Sequence, residues 1–505
     1  MNIALLLDLA ADTFGGRVAM TDDSGHLTFA ELRALARAVS PLMSAAGAQA
    51  LAFADTGSAG VPTALFGAAW AGVTYAPLNF RLPPASLTAQ LDRLDHPYAV
   101  ASDELVDRLH LADGRSTDRW MAVVRTAADA DDAGGGDYIP EPELPAVVIF
   151  TSGSSGTPKA ALLSHENLLS YVMETVEFAG AGDDEALMLA APPFHIAGVA
   201  AVLSSVYAGR RILPLAGFDP EDWLHKARGE QATHAFVVPT MLARIVRAMQ
   251  ADSGLRVPTL RSLSYGGARI ALPVLEQALE LFPTADFVNA YGLTETSSTI
   301  AVLGPDEHRE ALASTDPAVR RRLHSAGRPL PGVEVAIVGD GDGPVEAGAT
   351  GQIRVRGPQV SGRYLDSASG LDGGGWLATG DVGFLDADGY LFVQSRADDV
   401  IIKGGENLSP SEIEDVLLRH HLVVAAAVVG IPDLEWGETV AAAVVVESGA
   451  DTSDSGEMTE ELKGWVRDHL GSFKAPARVE LLKELPTTAT GKVLRRTVRD
   501  WLADA

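Results

Sequence analysis

The segment from Thr151 to Lys159 has the side chains and the backbone to bind a polyanion. It follows an apolar run, Ala146 to Phe150, that is typical of a short buried strand. Free backbone N–H groups in such a loop form a concave anion site, to which hydroxyl groups and an ammonium add donors. The residues concerned are Thr151, Ser152, Gly153, Ser154, Ser155, Gly156, Thr157 and Lys159. A polyphosphate would suit this loop, although the Walker spacing is absent and a solvated Ser/Gly turn is the alternative.

A second cluster of polar groups lies within residues 289–296. An aromatic ring, a hydroxyl and a carboxylate occur there within five residues, at Tyr291, Thr294 and Glu295. The structural alternative is a helix N-cap at Thr294 with Glu295 near the helix dipole. That alternative explains neither Tyr291 nor Gly292.

Each of the remaining candidates has an ordinary structural explanation when it is taken alone. His195 follows an apolar run and could be a satisfied, partly buried histidine in a turn. The run 266–268 and the pair 404–405 could be tight turns, and Asp381 follows a glycine as many turn residues do. Lys492 near the end of the chain could simply be solvated.

Composition excludes several classes of protein. The chain has 505 residues and a formal net charge of -28, which argues against nucleic-acid binding because phosphate contacts need clustered Lys and Arg. It has no cysteine, so any thiol chemistry must use a thiol brought by a substrate. No window reaches 18 uncharged apolar residues, and the N-terminus lacks a basic region, which predicts a cytoplasmic protein without a membrane span. The sequence does not distinguish a monomer from a homodimer.

Hydrophobic patterns predict an α/β fold with two domains. Apolar runs such as 50–54, 73–78 and 98–101 alternate with helical patterns, which is typical of doubly wound mixed sheets in a large N-terminal domain, residues 1–395. Period-two alternation from about residue 331 predicts a small, barrel-like antiparallel sheet at the end of that domain. Residues 396–505 are expected to form a small, mobile α+β domain. Within it, Ser409 to Glu412 reads as a capping box, as does Thr28 to Glu31 near the N-terminus.

Seven segments between 149 and 492 resemble, in order, those of the acyl- and aryl-CoA synthetases. This is a family of AMP-forming, adenylate-forming enzymes related to non-ribosomal peptide synthetase adenylation domains and luciferases. Four positions depart from the usual pattern. Serines stand at 154 and 155 where threonine is usual, Ser395 replaces a glycine, and Arg269 falls where neutral residues are common.

The resemblance implies an ATP site. Segment 151–159 would bind phosphates, Thr294 the α-phosphate, Glu295 with Thr151 a Mg²⁺ ion, and Asp381 with Arg396 the ribose. One glutamate suffices for Mg²⁺, which prefers few carboxylates plus phosphate oxygens. The adenine would lie among Gly267, Ala268, Asn289, Ala290, Tyr291 and Gly292.

The resemblance also implies an acid pocket and two mobile elements. The pocket residues would be His195, Ile196, Ala197, Val238, Tyr265, Gly266, Gly267 and Gly292, with His195 as a gate. Arg269, if it points inward, suggests a substrate with a second polar end. Asp398 would be the hinge, Lys403, Gly404 and Gly405 would line the coenzyme A channel, and Lys492 would be the mobile catalytic lysine.

The implied reaction joins a small carboxylic acid to coenzyme A in two halves, using ATP and Mg²⁺. A fatty or aryl acid is the expected substrate, and a malonate-like acid is the minor option. The alternatives are an adenylating enzyme that loads a carrier protein, a luciferase-like oxidase, and a nucleotide-binding protein that has lost catalysis. The presence of Thr294, Glu295, Asp381, Arg396 and Lys492 disfavours the last of these.

Overall fold

The computed structural model of the protein describes residues 1–112, 115–130, 144–151, 158–339, 343–366, 369–447, 455–488 and 493–504. We call residues 1–396 the large lobe and residues 401–504 the small lobe. The described strands form four sheets, three in the large lobe and one in the small lobe. In chain order they are β1 (Val18–Asp22), β2 (Gly25–Thr28), β3 (Ala50–Ala54), β4 (Thr74–Pro77), β5 (Pro97–Ala101), β6 (Pro145–Thr151), β7 (Lys159–Ser164), β8 (Ala186–Leu189), β9 (Arg211–Pro214), β10 (His234–Val237), β11 (Ser262–Gly266), β12 (Asp286–Leu293), β13 (Ser298–Leu303), β14 (Arg328–Pro329), β15 (Glu334–Val338), β16 (Gly351–Arg356), β17 (Leu377–Leu385), β18 (Leu391–Arg396), β19 (Ile401–Lys403), β20 (Glu406–Leu408), β21 (Val423–Asp433), β22 (Gly437–Val446) and β23 (Arg478–Leu482).

Helices cover the faces of these sheets. In chain order they are α1 (Ala4–Phe14), α2 (Phe29–Ala46), α3 (Gly60–Ala71), α4 (Pro84–Leu91), α5 (Asp103–Arg108), α6 (Thr117–Asp129), α7 (His165–Thr175), α8 (Ile196–Ala208), α9 (Pro220–Gly229), α10 (Pro239–Ala251), α11 (Leu272–Leu281), α12 (Pro305–Ala313), α13 (Pro317–Arg320), α14 (Pro410–Leu417), α15 (Ser455–Leu470) and α16 (Arg495–Asp504). Within the described residues, no helix combines the length and the apolarity that a membrane crossing needs.

Two mixed sheets form the core of the large lobe. Their strand orders are β5-β3-β4-β6-β7 and β14-β13-β12-β11-β10-β8-β9-β1-β2. The strands from β8 to β12 pair in parallel, as do β5, β3, β4 and β6. Because helices cover both faces, the strands of such sheets are continuously apolar, and every residue of β3 and of β8 is buried. The predicted apolar runs are therefore confirmed as strands.

The two predicted capping boxes have different outcomes. Thr28 caps α2, with its hydroxyl accepting from the Glu31 N–H and its own N–H donating to the Glu31 carboxylate. At α14 the helix begins at Pro410 as predicted, but the Ser409 side chain makes no capping bond. Its hydroxyl and that of Ser411 donate to the Gln394 carbonyl instead. The predicted capping box at 409–412 is therefore wrong, because the Gln394 carbonyl on β18 competes for the hydroxyl.

The two smaller sheets are antiparallel for the most part. Strands β15 to β18 pair in sequence order, which confirms the small antiparallel sheet of the large lobe. In the small lobe the order is β20-β19-β22-β21, and β23 pairs in parallel with β22. The small-lobe core includes Ile413, Val428, Val440 and Leu462 and contains no residue of the large lobe. The predicted fold class is confirmed.

Candidate active site

A cavity of about 560 Å³ lies between the two lobes. Most of its wall comes from segments that follow the carboxyl ends of β3, β4, β8 and β9, where ligands commonly bind in parallel sheets. The large-lobe residues around it include Gly57, Arg81, Pro192, Phe218 and Arg244. From the small lobe, Glu484, Thr487 and Thr488 complete the wall. Lys492 is four residues after Thr488 and lies outside the described residues. The middle of the predicted phosphate loop also lies outside them: Ser152, Gly153, Ser154, Ser155, Gly156 and Thr157.

Tyr291, Asp381 and Arg396 form one hydrogen-bonded group. The Tyr291 hydroxyl donates to Asp381 Oδ2 at 2.6 Å, and Arg396 Nε lies 2.9 Å from Asp381 Oδ1. Asp381 and Arg396 are opposite each other in the β17–β18 pairing, and Arg396 also donates to the Thr379 carbonyl. Burial, reinforced by the Asp381 charge, raises the pKa of Tyr291, so its hydroxyl stays a donor. The structure thus brings the predicted ribose residues together and ties the predicted adenine residue to them.

Glu295, Tyr364 and Lys159 form a second group. The Tyr364 hydroxyl donates to Glu295 Oε1 at 3.0 Å, and the Lys159 ammonium lies 5.6 Å from the centre of the Tyr364 ring. Lys159 is opposite Thr151 in the β6–β7 pairing, and the Thr151 hydroxyl donates to the Lys159 carbonyl. The antiparallel pair therefore holds both ends of the phosphate-loop segment near Glu295.

The donor set around Glu295 fits a Mg²⁺ ion that is bound mainly by phosphate oxygens. Glu295 and Thr294 lie in a short 3₁₀ turn directly after β12, and Oε1 of Glu295 is engaged by Tyr364. Among the residues that the structure describes, no group of three or more His, Cys, Asp or Glu is placed to hold a metal ion. Mg²⁺ in nucleotide sites typically has one or two carboxylates plus substrate phosphates, which agrees with a single glutamate.

Glycines allow the backbone of β12 to approach those of β11 and β13 closely. A Cβ atom on Gly266 would lie 2.2 Å from the Ala290 carbonyl oxygen, and one on Gly292 would lie 1.8 Å from the Ser298 carbonyl oxygen. Gly267 has a positive φ of 82°, which L-residues rarely adopt. Ala268 follows it, and the Asn289 amide donates to the Ser325 carbonyl. The predicted adenine segment is therefore a tightly packed strand end.

His195 precedes α8 beside the cavity. Its neighbours Pro192 and Pro193 line the cavity wall, and Ile196 and Ala197 start the helix. Burial, and secondarily the charge of Arg81, lowers the pKa of His195 to about 4. The imidazole is therefore neutral at physiological pH.

Tyr265 is placed differently from its prediction as a pocket residue. Its side chain is fully buried, and its hydroxyl lies 2.9 Å from His308 Nε2 on α12. Successive strand residues face opposite sides of the sheet, so Tyr265 faces α12 while its neighbour Gly266 faces the other side. Only the backbone of Tyr265 can therefore border a pocket. Val238, at the start of α10, is two residues from the cavity residue Thr240.

The predicted coenzyme A residues lie at a turn of the small lobe. Gly404 and Gly405 have φ values of 57° and 83° between β19 and β20, and neither lines the cavity. The Lys403 ammonium donates to the Phe473 carbonyl and lies against the Phe473 ring. Asp398 is exposed in a 3₁₀ turn that links the lobes. The roles of these four residues stay predictions.

Two residues of the site were missed by sequence reasoning. Tyr364 lies in the segment Ser361 to Leu365, and its aromatic ring is the one sequence feature that points to it. Arg81, whose charge affects His195, follows the apolar run of β4 and lines the cavity. Both lie in loops after or between strands, where periodicity gives no signal.

Known proteins share this architecture. The family described as AMP-binding enzyme matches residues 7–365, and the AMP-binding enzyme C-terminal domain matches residues 412–492. Feruloyl-CoA synthase of Amycolatopsis sp. is 33% identical over 449 residues, covering 86% of this chain and 85% of that protein. The structure of amide bond synthetase McbA from Marinactinospora thermotolerans matches with a TM-score of 0.85 and 30% identity, over 99% of this chain and 100% of the other.

O-succinylbenzoate coenzyme A synthetase from Bacillus subtilis, solved in complex with ATP and magnesium ion, matches with a TM-score of 0.81. It is 28% identical over 98% of this chain and 99% of the other. The chain therefore belongs to the AMP-binding enzyme family and, within it, to the AMP-forming acyl- and aryl-CoA ligases.

Proposed function

We propose that the protein is an AMP-forming acyl-CoA synthetase that activates an aryl or a fatty carboxylic acid. In the first half-reaction the substrate carboxylate attacks the α-phosphorus of ATP, and the acyl-adenylate forms as pyrophosphate leaves. In the second half-reaction the thiol of coenzyme A attacks the acyl carbon, loses its proton, and AMP leaves. No side-chain nucleophile is required, so the protein contributes positioning and charge.

The observation that supports this function most is the position of two polar groups around the end of β12 and the 3₁₀ turn that follows it. Tyr291, in the group with Asp381 and Arg396, lies four residues before Glu295, in the group with Tyr364 and Lys159. A nucleotide that spans them would present its ribose to Asp381 and its phosphates to Lys159. Both groups belong to the large lobe, while the small-lobe residues Thr487 and Thr488 close the cavity between the lobes.

Charged side chains of the large lobe and Lys492 would share the work at the phosphates. We assign Mg²⁺ to Glu295 and Thr151; when bound, the ion neutralises charge on the phosphate oxygens. Lys492 would add a cation at the α-phosphate as negative charge develops there. Thr294 would hold the α-phosphate in line with the incoming carboxylate.

The environment of His195 and Arg269 favours an aryl or fatty acid over a malonate-like acid. His195 is neutral and adjoins the buried Phe194 ring, with ring centres 4.8 Å apart. Arg269 was the residue that would have suggested a second polar end. Its guanidinium pairs with Asp415 of the small lobe, so it is not available to a substrate. A feruloyl-CoA synthase among the relatives agrees with an aryl acid.

A panel of carboxylic acids tests the proposal. Purified enzyme is incubated with ATP, Mg²⁺, coenzyme A and one acid at a time: cinnamates, benzoates, fatty acids of increasing length, succinylbenzoate and malonate. We expect acid-dependent release of pyrophosphate and AMP together with a thioester product for an aryl or fatty acid. Pyrophosphate release with no acid of the panel would reject the function.

The acceptor is tested separately once an acid has been found. Coenzyme A, a carrier protein, a simple amine, and oxygen alone are compared as acceptors of the adenylate. Transfer to coenzyme A supports the synthetase, whereas transfer only to a carrier protein or an amine, or light or oxidation products, would assign one of the alternatives.

A further inference from the structure

Arg269 makes a contact between the lobes that the proposed chemistry does not explain. It follows the glycine-rich end of β11, yet its Nη2 lies 2.5 Å from Asp415 Oδ2 on α14 of the small lobe. The same nitrogen lies 3.4 Å from His324 Nδ1 of the large lobe. Arg269 therefore lies at the end of a segment that borders the candidate nucleotide site, and its side chain contacts the other lobe.

Asp415 is a carboxylate whose burial is only partly compensated. Its side chain is 18% exposed. Loss of water raises the pKa of Asp415 to about 6, and Arg269 is the strongest group acting in the opposite direction. The other charged groups that act on it are Glu412, Glu414 and Arg419 of its own helix and the segment after it.

A buried charge that loses its partner is far more costly than a pair replaced by neutral groups. Without Arg269, the Asp415 carboxylate would still be shielded from water. Glu414 would repel it, and Arg419 would be left as the cation that attracts it. In an orientation of the small lobe that exposes α14, Asp415 would regain water and would not need Arg269. The Arg269–Asp415 ion pair therefore stabilises chiefly the small-lobe orientation seen here.

The same orientation places the chain before Lys492 at the cavity. Thr487 and Thr488 line the cavity, and Thr487 pairs with Val493 in an isolated β-bridge across the segment that contains Lys492. One orientation of the small lobe therefore both brings α14 into contact with the large lobe and places residues 484–488 at the cavity.

We propose that Arg269 is a positioning residue for the adenylation half-reaction, because it neutralises Asp415 and so permits the small-lobe orientation that places Thr487 and Thr488 at the cavity. This inference rests on the proposed function and on the hinge that the resemblance implies at Asp398, about which the small lobe would rotate between the half-reactions. It also predicts that substitution of Arg269 and substitution of Asp415 have different effects. Loss of Arg269 should be harmful, whereas loss of the Asp415 charge should be tolerated and should rescue the loss of Arg269.

The test compares Arg269→Ala, Arg269→Gln, Asp415→Asn and the double variant Arg269→Ala/Asp415→Asn. Each half-reaction is measured alone: acid-dependent ATP–pyrophosphate exchange for the first, and thioester formation from supplied acyl-adenylate for the second. Arg320→Ala is the matched control, because Arg320 pairs with Glu276 within the large lobe.

We expect both single Arg269 variants to lower the exchange rate about tenfold while thioester formation stays within about twofold of the wild type. Asp415→Asn and the double variant should exchange at close to the wild-type rate. Wild-type exchange in the Arg269 variants would overturn the inference, as would equal loss in both half-reactions or failure of Asp415→Asn to rescue.

A distance measurement separates failure of this inference from failure of the proposed function. The chain has no cysteine, so Met173→Cys and Asp468→Cys, both at exposed positions, provide one dye site on each lobe. Arg269→Ala should change the transfer efficiency and Asp415→Asn should restore it, even where no acid of the panel is a substrate. Unchanged efficiency would show that the pair does not set the orientation.

Discussion

The hydroxyl of Tyr291 donates to Asp381 Oδ2 at 2.6 Å, while Arg396 contacts the other oxygen of the same carboxylate. Tyr291 belongs to β12 of the nine-stranded sheet, and Asp381 belongs to β17 of the small antiparallel sheet. The bond therefore fixes the candidate ribose carboxylate of one sheet relative to the candidate adenine residue of another.

Tyr291→Phe should weaken this arrangement without removing the ring that would stack on adenine. A hydrogen bond to an ionised group is worth about 1.5–3 kcal/mol, so we expect kcat/KM for ATP to fall about 10- to 100-fold. Steady-state kinetics at varied ATP provide the measurement. Tyr98→Phe, remote from the site in β5, serves as the control, and a Tyr291→Phe variant with the wild-type ATP dependence would show that the bond is not needed.

Tyr364→Phe should reduce the affinity for Mg²⁺ with ATP, because the hydroxyl orients the carboxylate of Glu295. Outer partners of metal ligands typically contribute a factor of about ten or more in metal affinity. Binding of Mn²⁺ in the presence of ATP, followed by electron paramagnetic resonance, reports this without turnover.

Tyr390→Phe is a matched control for that experiment. Tyr390 also donates to a glutamate, Glu307, but away from the candidate site. Equal Mn²⁺ affinity in Tyr364→Phe and Tyr390→Phe would remove Tyr364 from the metal site.

His195 should remain neutral across the physiological range. Burial, with a smaller contribution from Arg81, lowers its pKa to about 4, below the usual value of about 6.5. Because the unfolded chain binds the proton more tightly, this histidine favours the folded state above pH 6.5 and loses that contribution as the pH falls toward 4. Nuclear magnetic resonance of ¹³C-labelled histidine should show no titration of His195 between about pH 5.5 and 8. A midpoint near 6.5 would mean that water reaches the ring.

Gly292→Ala should destabilise the protein strongly. The added Cβ would lie 1.8 Å from the Ser298 carbonyl oxygen, so the β12–β13 pairing must shift, at a cost above about 3 kcal/mol. Gly464→Ala is the control, since that glycine lies in α15 with open space around its Cβ position, and it should stabilise by about 0.5–1 kcal/mol. Urea unfolding of both variants decides the matter, and equal midpoints would contradict the close approach.

The parts of this molecule that local sequence specifies could be predicted. The apolar runs became strands, and Thr28 capped α2, because each depends on residues within a few positions of one another. Tyr265 was misplaced although the alternation of β11 carried the information: Leu263 and Tyr265 share the fully buried face. The site motifs were found by resemblance, and the structure brings Asp381, Arg396 and Tyr291 together.

What escaped prediction depends on partners far apart in the sequence. Ser409 does not cap α14 because its hydroxyl donates to the Gln394 carbonyl. Tyr364 belongs to the candidate site only because its hydroxyl donates to Glu295. Arg269 was left between two interpretations, inside or outside the pocket. Its partner Asp415 belongs to the other lobe, and only the orientation of that lobe decides between them.

The resemblance implies that the small lobe supplies Lys492 to the first half-reaction and Gly404 with Gly405 to the second. This central claim, that the two half-reactions use different faces of the small lobe, is tested most directly with Lys492→Ala. The measurement compares acid-dependent pyrophosphate exchange with thioester formation from supplied acyl-adenylate in one preparation. We predict that exchange falls at least about 10²- to 10³-fold while thioester formation is retained, because the ammonium acts only as the α-phosphate is attacked. Equal loss in both half-reactions would contradict the claim.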